Sequence, residues 1–159
     1  MRKNLVLIVL LTLSLLCGCG SYENLKTDVS VAEIFDALEQ SGLSEKLDER
    51  AELGDELFDE ACEALYGVTA DELTDGGIMY VSSGKSADEI SIISGSADCE
   101  KLLNERAKQR ESDFEGYAPE ESQKATDAEA FECGGMYVLI IADEESREQI
   151  KDEIISIIQ

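Results

Sequence analysis

The chain is 159 residues long, the size of one ordinary domain. Its 36 acidic residues outnumber 13 basic ones, and the formal net charge of −23 repels phosphate backbones and anionic lipid headgroups. These numbers argue against nucleic acid as a partner and against peripheral electrostatic binding to a membrane. The sequence contains no histidine, which excludes an imidazole base for a nucleophile and removes a usual zinc ligand.

The first 18 residues predict a cleaved signal peptide. Two cations, Arg2 and Lys3, precede an apolar run over Leu5–Leu16. The run has the length of a signal-peptide core and is shorter than the roughly 20 residues that a membrane-spanning helix needs. An uncleaved short anchor or a buried core helix is the alternative interpretation.

The sequence Leu16-Cys17-Gly18-Cys19 ends this run and resembles the lipobox of bacterial lipoprotein precursors. In such precursors a diacylglyceryl group is attached to the cysteine, and cleavage falls just before it. Cys19 is the predicted lipidation site, because Cys17 follows the bulky Leu16 and is a poor acceptor. Two acyl chains hold a protein stably on a bilayer. We therefore expect the lipid bilayer to be a partner through Cys19, on the extracytoplasmic face of the cell membrane.

Cleavage after residue 18 leaves 141 of the 159 residues, with a formal charge of −25 because Arg2 and Lys3 leave with the leader. Residues 19–28 predict a polar, lipidated tether, and residues 29–159 predict a single domain. Such an acidic body would stay at a membrane through its lipid rather than through its charge.

The domain is predicted to begin with an amphipathic helix. Ser30 and Glu33 have the spacing of a capping box, and the helix is expected to stop near Gly42. The apolar residues at helical spacing are Val31, Ile34, Phe35 and Leu38. The charged stretch 44–55 that follows is predicted to be partly helical.

A second helix is predicted over residues 56–66. Asp55 is expected to cap its amino terminus, and Gly67 is expected to end it. The residues expected to be buried are Leu57, Phe58, Ala61 and Leu65, with Cys62 beside them.

Four strands are predicted to pair as two hairpins. The first hairpin pairs Ile78–Ser82 with Glu89–Ser94 across a polar loop. The second pairs Glu129–Cys133 with Met136–Ala142 across Gly134-Gly135, which is typical of a tight primed turn. Because Met136–Ala142 is apolar on both faces, we expect a central strand that is covered on each side.

A long helix over 97–117 is predicted between the hairpins, and a last helix over 145–158 follows them. Pro119 closes the long helix, since the residue before a proline disfavours helical backbone, and a short charged segment leads to the second hairpin. The order α-α-β-β-α-β-β-α predicts an α+β fold. We expect a small antiparallel sheet of two hairpins packed against about four helices, after the cleaved signal peptide.

Three cysteines, Cys62, Cys99 and Cys133, remain after processing. An odd number, far apart in sequence, does not make a disulfide framework. The sequence predicts three small buried hydrophobic residues and leaves open one disulfide with a free thiol.

Arg106 and Arg110 lie one helical turn apart on this acidic protein. Together with Tyr117 they are the candidate residues for binding a ligand or partner, as a site for an anion or a partner carboxylate. The alternative is intramolecular pairing with neighbours such as Glu105 or Asp113.

The sequence predicts no catalytic residue, metal site or cofactor. Gly84-Lys85-Ser86 lacks the preceding glycine of a P-loop and joins two predicted strands. The acidic stretch 71–76 departs from a calcium-binding loop at Glu72, so that weak, diffuse calcium affinity is the most it indicates.

Several segments occur in an order and spacing that resemble a known family. They are Leu65-Tyr66-Gly67, Ser86-Ala87-Asp88-Glu89-Ile90, Arg106 to Tyr117 with Pro119, and Gly135 to Ile141. The family resembled is a domain of unknown function in predicted lipoproteins of clostridia and related Gram-positive bacteria. This chain has Gly134-Gly135 where that family has one glycine. The resemblance implies a membrane-anchored extracytoplasmic lipoprotein and transfers no catalytic residue, cofactor or substrate.

We therefore expect a non-enzymatic interaction or accessory module of the cell envelope, acting on an unidentified envelope protein or ligand. The alternative hypothesis is a small ligand-binding or enzymatic lipoprotein with an anion or peptide site near Arg106 and Arg110. A solute-binding subunit of a transporter is a third hypothesis, for which 141 residues are few because two lobes are usual.

Overall fold

The computed structural model describes residues 25–26 and 28–159. Within these residues the chain forms five α-helices, one 3₁₀ turn and one five-stranded antiparallel sheet, which confirms the predicted α+β fold. The helices are α1 (Val31–Gln40), α2 (Glu56–Tyr66), α3 (Cys99–Phe114), α4 (Pro119–Thr126) and α5 (Glu144–Ile158), and the 3₁₀ turn is Ala70–Glu72. The strands are β1 (Glu49–Glu52), β2 (Leu73–Tyr80), β3 (Glu89–Gly95), β4 (Glu129–Cys133) and β5 (Met136–Ile141).

The predicted signal peptide and the lipobox with Cys19 lie outside the described residues. Among the residues that are described, no helix is long and apolar enough to cross a membrane.

The two predicted hairpins form most of the sheet. The strand order is β1-β2-β3-β5-β4, and each neighbouring pair is antiparallel. In the turn between β4 and β5, Gly134 and Gly135 have φ values of 61° and 82°, the left-handed backbone that a tight primed turn requires. The two hairpins meet where β3 pairs with β5, so these two strands lie inside the sheet.

Helices cover both faces of the sheet. Successive residues of a strand point to opposite faces, so that Ile92 of β3 packs with α1 and α5 while Ile93 packs with α2, α3 and α4. In the same way, Val138 and Leu139 of β5 are both fully buried in opposite layers. The expectation that Met136–Ala142 forms a central strand covered on each side is therefore confirmed.

Of the amino-terminal caps predicted for α1 and α2, only the cap of α1 is present. The capping box of α1 is confirmed, because the Glu33 N–H donates to Ser30 Oγ at 3.2 Å and the Ser30 N–H donates to Glu33 Oε2 at 2.9 Å. Asp55 precedes α2 but its side chain bonds no amide of that helix. Its carboxylate instead accepts from the Glu52 N–H at 2.9 Å, at the end of β1.

The prediction of partial helix over 44–55 is wrong. Residues Glu49–Glu52 form β1, which pairs with β2. Arg50 of this strand lies 5.5 Å from the ring centroid of Phe35 and 2.8 Å from Asp36, both on α1. These contacts with distant parts of the chain override the local preference of glutamate, arginine and alanine for helix.

The chain after α3 also contains more structure than the sequence indicated. The expected short charged segment includes α4, with Pro119 at its first position, where the missing N–H and fixed φ of proline are compatible with a helix. This helix packs against α3 through the Ser122 hydroxyl, which donates to the Glu111 carbonyl at 3.2 Å.

The buried face of α2 agrees with the expected one at Phe58 and Cys62 and departs from it at Leu57. Phe58, Cys62 and Tyr66 are buried, whereas Leu57 is 78% exposed. The three buried residues are spaced by four and lie on one side of the helix, while Leu57 lies about 100° away from Phe58. The predicted termination at Gly67 is confirmed, with φ of 74°.

The amino-terminal segment packs at one end of the sheet. The Lys26 N–H donates to the Ile158 carbonyl at the end of α5, at 2.6 Å. We call this the proximal end, and it also holds the turn Gly134-Gly135 and Gly95 at the end of β3. The opposite, distal end holds the loop 81–88 and the start of α5.

Candidate functional site

A buried ion cluster joins β3 to α3 towards the distal end. Glu89 is fully buried and accepts from Arg106 twice, from Nε at 2.9 Å and from Nη2 at 2.6 Å. The Ser91 hydroxyl donates to Glu89 at 2.9 Å and accepts from the Tyr66 hydroxyl at 3.0 Å. Two parallel bonds and an added hydroxyl are what a buried ion pair requires to offset the loss of water around both charges.

The cluster shifts the ionisation of its members. Burial alone would lower the pKa of Arg106, but the adjacent Glu89 carboxylate outweighs it and the pKa is raised. Burial raises the pKa of Tyr66, and the Glu89 charge adds to this effect. The arginine is therefore charged and the tyrosine neutral at any physiological pH.

Arg110 lies one turn further along α3, against the same carboxylate. Its Nε lies 3.3 Å from Glu89 Oε2, and its Nη2 donates to the Ser86 carbonyl at 2.9 Å. The guanidinium carbon lies 5.0 Å from the ring centroid of Phe114, within the range of a cation–π contact. The expected pair with Asp113 is present at 3.4 Å. Arg110 thus ties α3 to the loop that precedes β3.

A second ion cluster joins α4 to the same loop. Lys124 Nζ lies 2.9 Å from Asp88 and 2.9 Å from Glu121. Glu121 also accepts from the Ala87 N–H at 2.7 Å and from the Ser86 hydroxyl at 2.9 Å. Burial would raise the pKa of Glu121, but the Ala87 N–H and Lys124 more than compensate, and the pKa is lowered. The pKa of Lys124 is raised by Asp88 and Glu121 against the effect of burial.

The structure brings two of the three predicted binding residues together. Arg106 and Arg110 share Glu89, whereas the Tyr117 side chain is 65% exposed and lies against Phe114, with ring centroids 5.6 Å apart. The guanidinium groups of both arginines are engaged by groups of the protein itself. Tyr117 belongs to neither ion cluster.

Sequence analysis did not identify the carboxylate that the two arginines share. Glu89 is 17 positions from Arg106, so rules for neighbours on one helix do not connect them. The available signal was a charged residue at the start of a strand that is otherwise uncharged, because a charge buried in a sheet needs a partner. Lys124 gave no comparable signal, since α4 itself was not predicted.

An apolar groove lies beside the first cluster, between α2 and β1. It encloses about 200 Å³, and Arg106 forms part of its lining. The other lining residues are mainly apolar and include Ala51, Leu57, Ala61, Leu65 and Tyr80. A ligand in this groove would meet mainly apolar walls, with the charged residues Glu49, Arg50 and Arg106 also in the lining.

The two clusters hold the loop 81–88 between α3 and α4, and their charges are paired within the protein. Over residues 25–26 and 28–159, no three histidine, cysteine or carboxylate side chains are grouped so that they could hold a metal ion. The geometry is that of a network that fixes two helices on a sheet.

The fold and the clusters define a small α+β domain in which buried ion pairs hold α3 and α4 against the first hairpin and its loop 81–88. Residues 45–142 match a family described as a domain of unknown function, DUF4358. Since the match covers more than half of the 159 residues, the chain belongs to this family. The matched region contains the sheet and both ion clusters, and leaves out α1 and α5. No curated protein and no solved structure matches the chain.

Proposed function

We propose that this protein is a lipid-anchored extracytoplasmic module of the cell envelope that acts by interaction rather than by catalysis. The observation that carries the proposal is the sequence Leu16-Cys17-Gly18-Cys19 behind a cationic start and a short apolar run. Acylation of Cys19 would give an acidic domain a stable place on a membrane that its charge would otherwise avoid. The lipoprotein nature and the Gram-positive origin that the sequence resemblance implies belong to this proposal.

The pairing of the buried charges supports the non-enzymatic part of the proposal. A general base or an electrophilic cation acts by contacting the reacting group. Arg106, Arg110 and Lys124 instead contact Glu89, Asp88 and Glu121. Their role in the proposal is to keep the surface of the domain in a fixed shape for a partner.

Metabolic labelling with a fatty-acid analogue tests the anchor. We expect the wild-type chain and Cys17→Ala to carry the label, and Cys19→Ala to lose it. Cys17→Ala is the matched control, since it removes a neighbouring thiol of the same segment. Equal labelling of Cys19→Ala and the wild type would contradict the proposal.

The groove beside Arg106 favours one second candidate, a binding site for a small anionic ligand or peptide. Its mainly apolar walls, with Arg106 and Arg50 among the lining residues, fit a ligand that has an apolar body and a carboxylate or phosphate. Thermal-shift screening of the fragment from Gly20 onward with small carboxylates, phosphates and short peptides tests this candidate. One compound that raises the unfolding temperature by several degrees, with no effect on Leu57→Asp, would support it. Leu57 is suited to this test because it lines the groove and is 78% exposed, so that its replacement leaves the core intact.

A further inference from the structure

The amino-terminal segment is fixed on the proximal end of the domain. Besides the backbone bond to Ile158, the Lys26 ammonium donates to the Ile157 carbonyl at 3.0 Å. Leu25 packs against the core formed with α1 and α5. The Lys26 carbonyl lies so close to the β4–β5 turn that a Cβ on Gly134 would approach it to 3.1 Å. The chain therefore joins the domain at one defined place.

The distance from the proposed anchor to this place is short. Leu25 follows Cys19 by six residues, which span at most about 20 Å when fully extended. Strand β3 runs from the distal to the proximal end over Glu89–Gly95, a rise of about 20 Å. The distal end is therefore separated from the attachment point by a length comparable to the whole tether.

Charge disfavours an arrangement in which the domain lies flat. The outer surfaces of α1 and α5 carry exposed carboxylates, among them Asp36 and Glu39 on α1 and Glu145, Glu148 and Asp152 on α5. Anionic headgroups repel such a surface within a Debye length, which is about 10 Å at 0.1 M salt. Contact through the proximal end would keep these helix surfaces away from the lipid.

We infer that the proximal end is the membrane-facing surface of this protein and that the distal end points away from the bilayer. The inference rests on the proposed acylation of Cys19. The surface that faces the lipid includes Ser96 and the turn Gly134-Gly135. The surface that faces the medium includes Ser83 and a depression of about 170 Å³ lined in part by Lys46 and Asp88. A second envelope protein would meet the distal end first.

Lipid quenching of fluorescent labels tests the orientation. The full-length chain, processed in cells and purified with its lipid, is placed in vesicles of phosphatidylcholine and phosphatidylglycerol that contain a headgroup nitroxide lipid. Ser96→Cys and Ser83→Cys are matched label sites, because both are exposed serines at opposite ends of β3. We expect several-fold stronger quenching at Ser96→Cys. Ser156→Cys near the end of α5 and Ser41→Cys after α1 form a second exposed pair for which the same order is expected.

The results of this experiment test the proposed orientation and the proposed acylation of Cys19 separately. Intact-mass analysis reports whether Cys19 is acylated in each variant. Acylated protein with equal quenching at both ends, or with stronger quenching at Ser83→Cys, overturns the orientation and leaves the proposed function standing. Protein without the acyl group, which does not sediment with the vesicles, overturns both.

Discussion

At the scale of single residues, Glu89 holds α3 against the sheet, because one carboxylate faces two arginines of that helix. The side chains of Arg106 and Arg110 are 8% and 12% exposed, so neither can regain water if the carboxylate is removed. Breaking a buried ion pair by removing one partner costs about 3–5 kcal/mol, whereas exposed pairs contribute about 0–1 kcal/mol.

We expect Glu89→Gln to lower the free energy of unfolding by about 3 kcal/mol, since it removes the carboxylate that pairs with the buried Arg106 guanidinium. Urea unfolding of the fragment from Gly20 onward measures this loss. Glu105→Gln is the matched control: Glu105 lies 3.7 Å from Lys101 with both side chains more than half exposed, and its loss should be under about 0.5 kcal/mol. Similar losses in the two variants would contradict the structural role of Glu89.

The three cysteines of the domain are free and buried, as the sequence indicated. Burial raises the pKa of Cys62 to about 11, with a further contribution from Asp59. Burial also raises the pKa of Cys99 and Cys133. Because the thiolate is the reactive form, we expect the folded fragment from Gly20 onward to react slowly with an aromatic disulfide reagent at pH 8. In urea all three thiols should react rapidly, because unfolding exposes them. Rapid reaction in the folded state would contradict their burial.

At the scale of secondary-structure elements, α1 packs closely against β2 at Gly77. A Cβ at this position would lie 2.7 Å from Phe35 Cε2 and 3.0 Å from Val31 Cγ1, both on α1. We expect Gly77→Ala to lower the free energy of unfolding by about 1–3 kcal/mol, because α1 would have to move off β2. At the neighbouring Gly76 a Cβ would come no closer than 3.4 Å to Leu73 and Phe58. Gly76→Ala should therefore change the unfolding midpoint in urea much less, and the reverse order would show that α1 is not packed on Gly77.

The contact between α4 and the loop 81–88 gives a pH dependence. The pKa of Glu121 is lower in the folded protein than its ordinary value of 4.5. A lowered folded-state pKa means that the unfolded chain binds more protons in acid, so stability is lost as the pH falls through and below that value. We expect Glu121→Gln to lose less stability than the wild type between pH 5 and pH 3, as measured by thermal unfolding across that range. Parallel pH profiles for the two proteins would contradict this role.

The sequence predicts those elements whose signals are local. The capping box at Ser30, the glycine that ends α2 and the turn Gly134-Gly135 each specify their own backbone, and the corresponding helices and hairpin are present. Strand β1 could not be predicted this way, because Glu49–Glu52 becomes a strand only by pairing with β2. The same holds for the ion cluster. Two of its members stand one turn apart on α3, but the position of Glu89 depends on the strand register.

For the whole molecule, net charge opposes compaction. With a formal charge of −23, like charges repel one another in the folded state more than in the expanded chain. Salt screens this repulsion. We expect the midpoint of thermal unfolding to rise by several degrees when sodium chloride is increased from about 0.02 M to about 0.3 M. Potassium chloride should have the same effect, and a midpoint that is unchanged or falls would show that repulsion is not limiting.

Both edges of the sheet carry charged side chains. The outer strand β1 is four residues long and includes Glu49, Arg50 and Glu52, and the other outer strand, β4, includes Glu129 and Glu132. An open strand edge is a template on which another copy can pair, and short, charged edges oppose such pairing. If the protein is anchored as proposed, its copies would be confined to two dimensions and would collide often, and the charged edges would keep neighbouring molecules from joining into continuous sheets. Crowding would then leave each domain separate and its outward surface accessible.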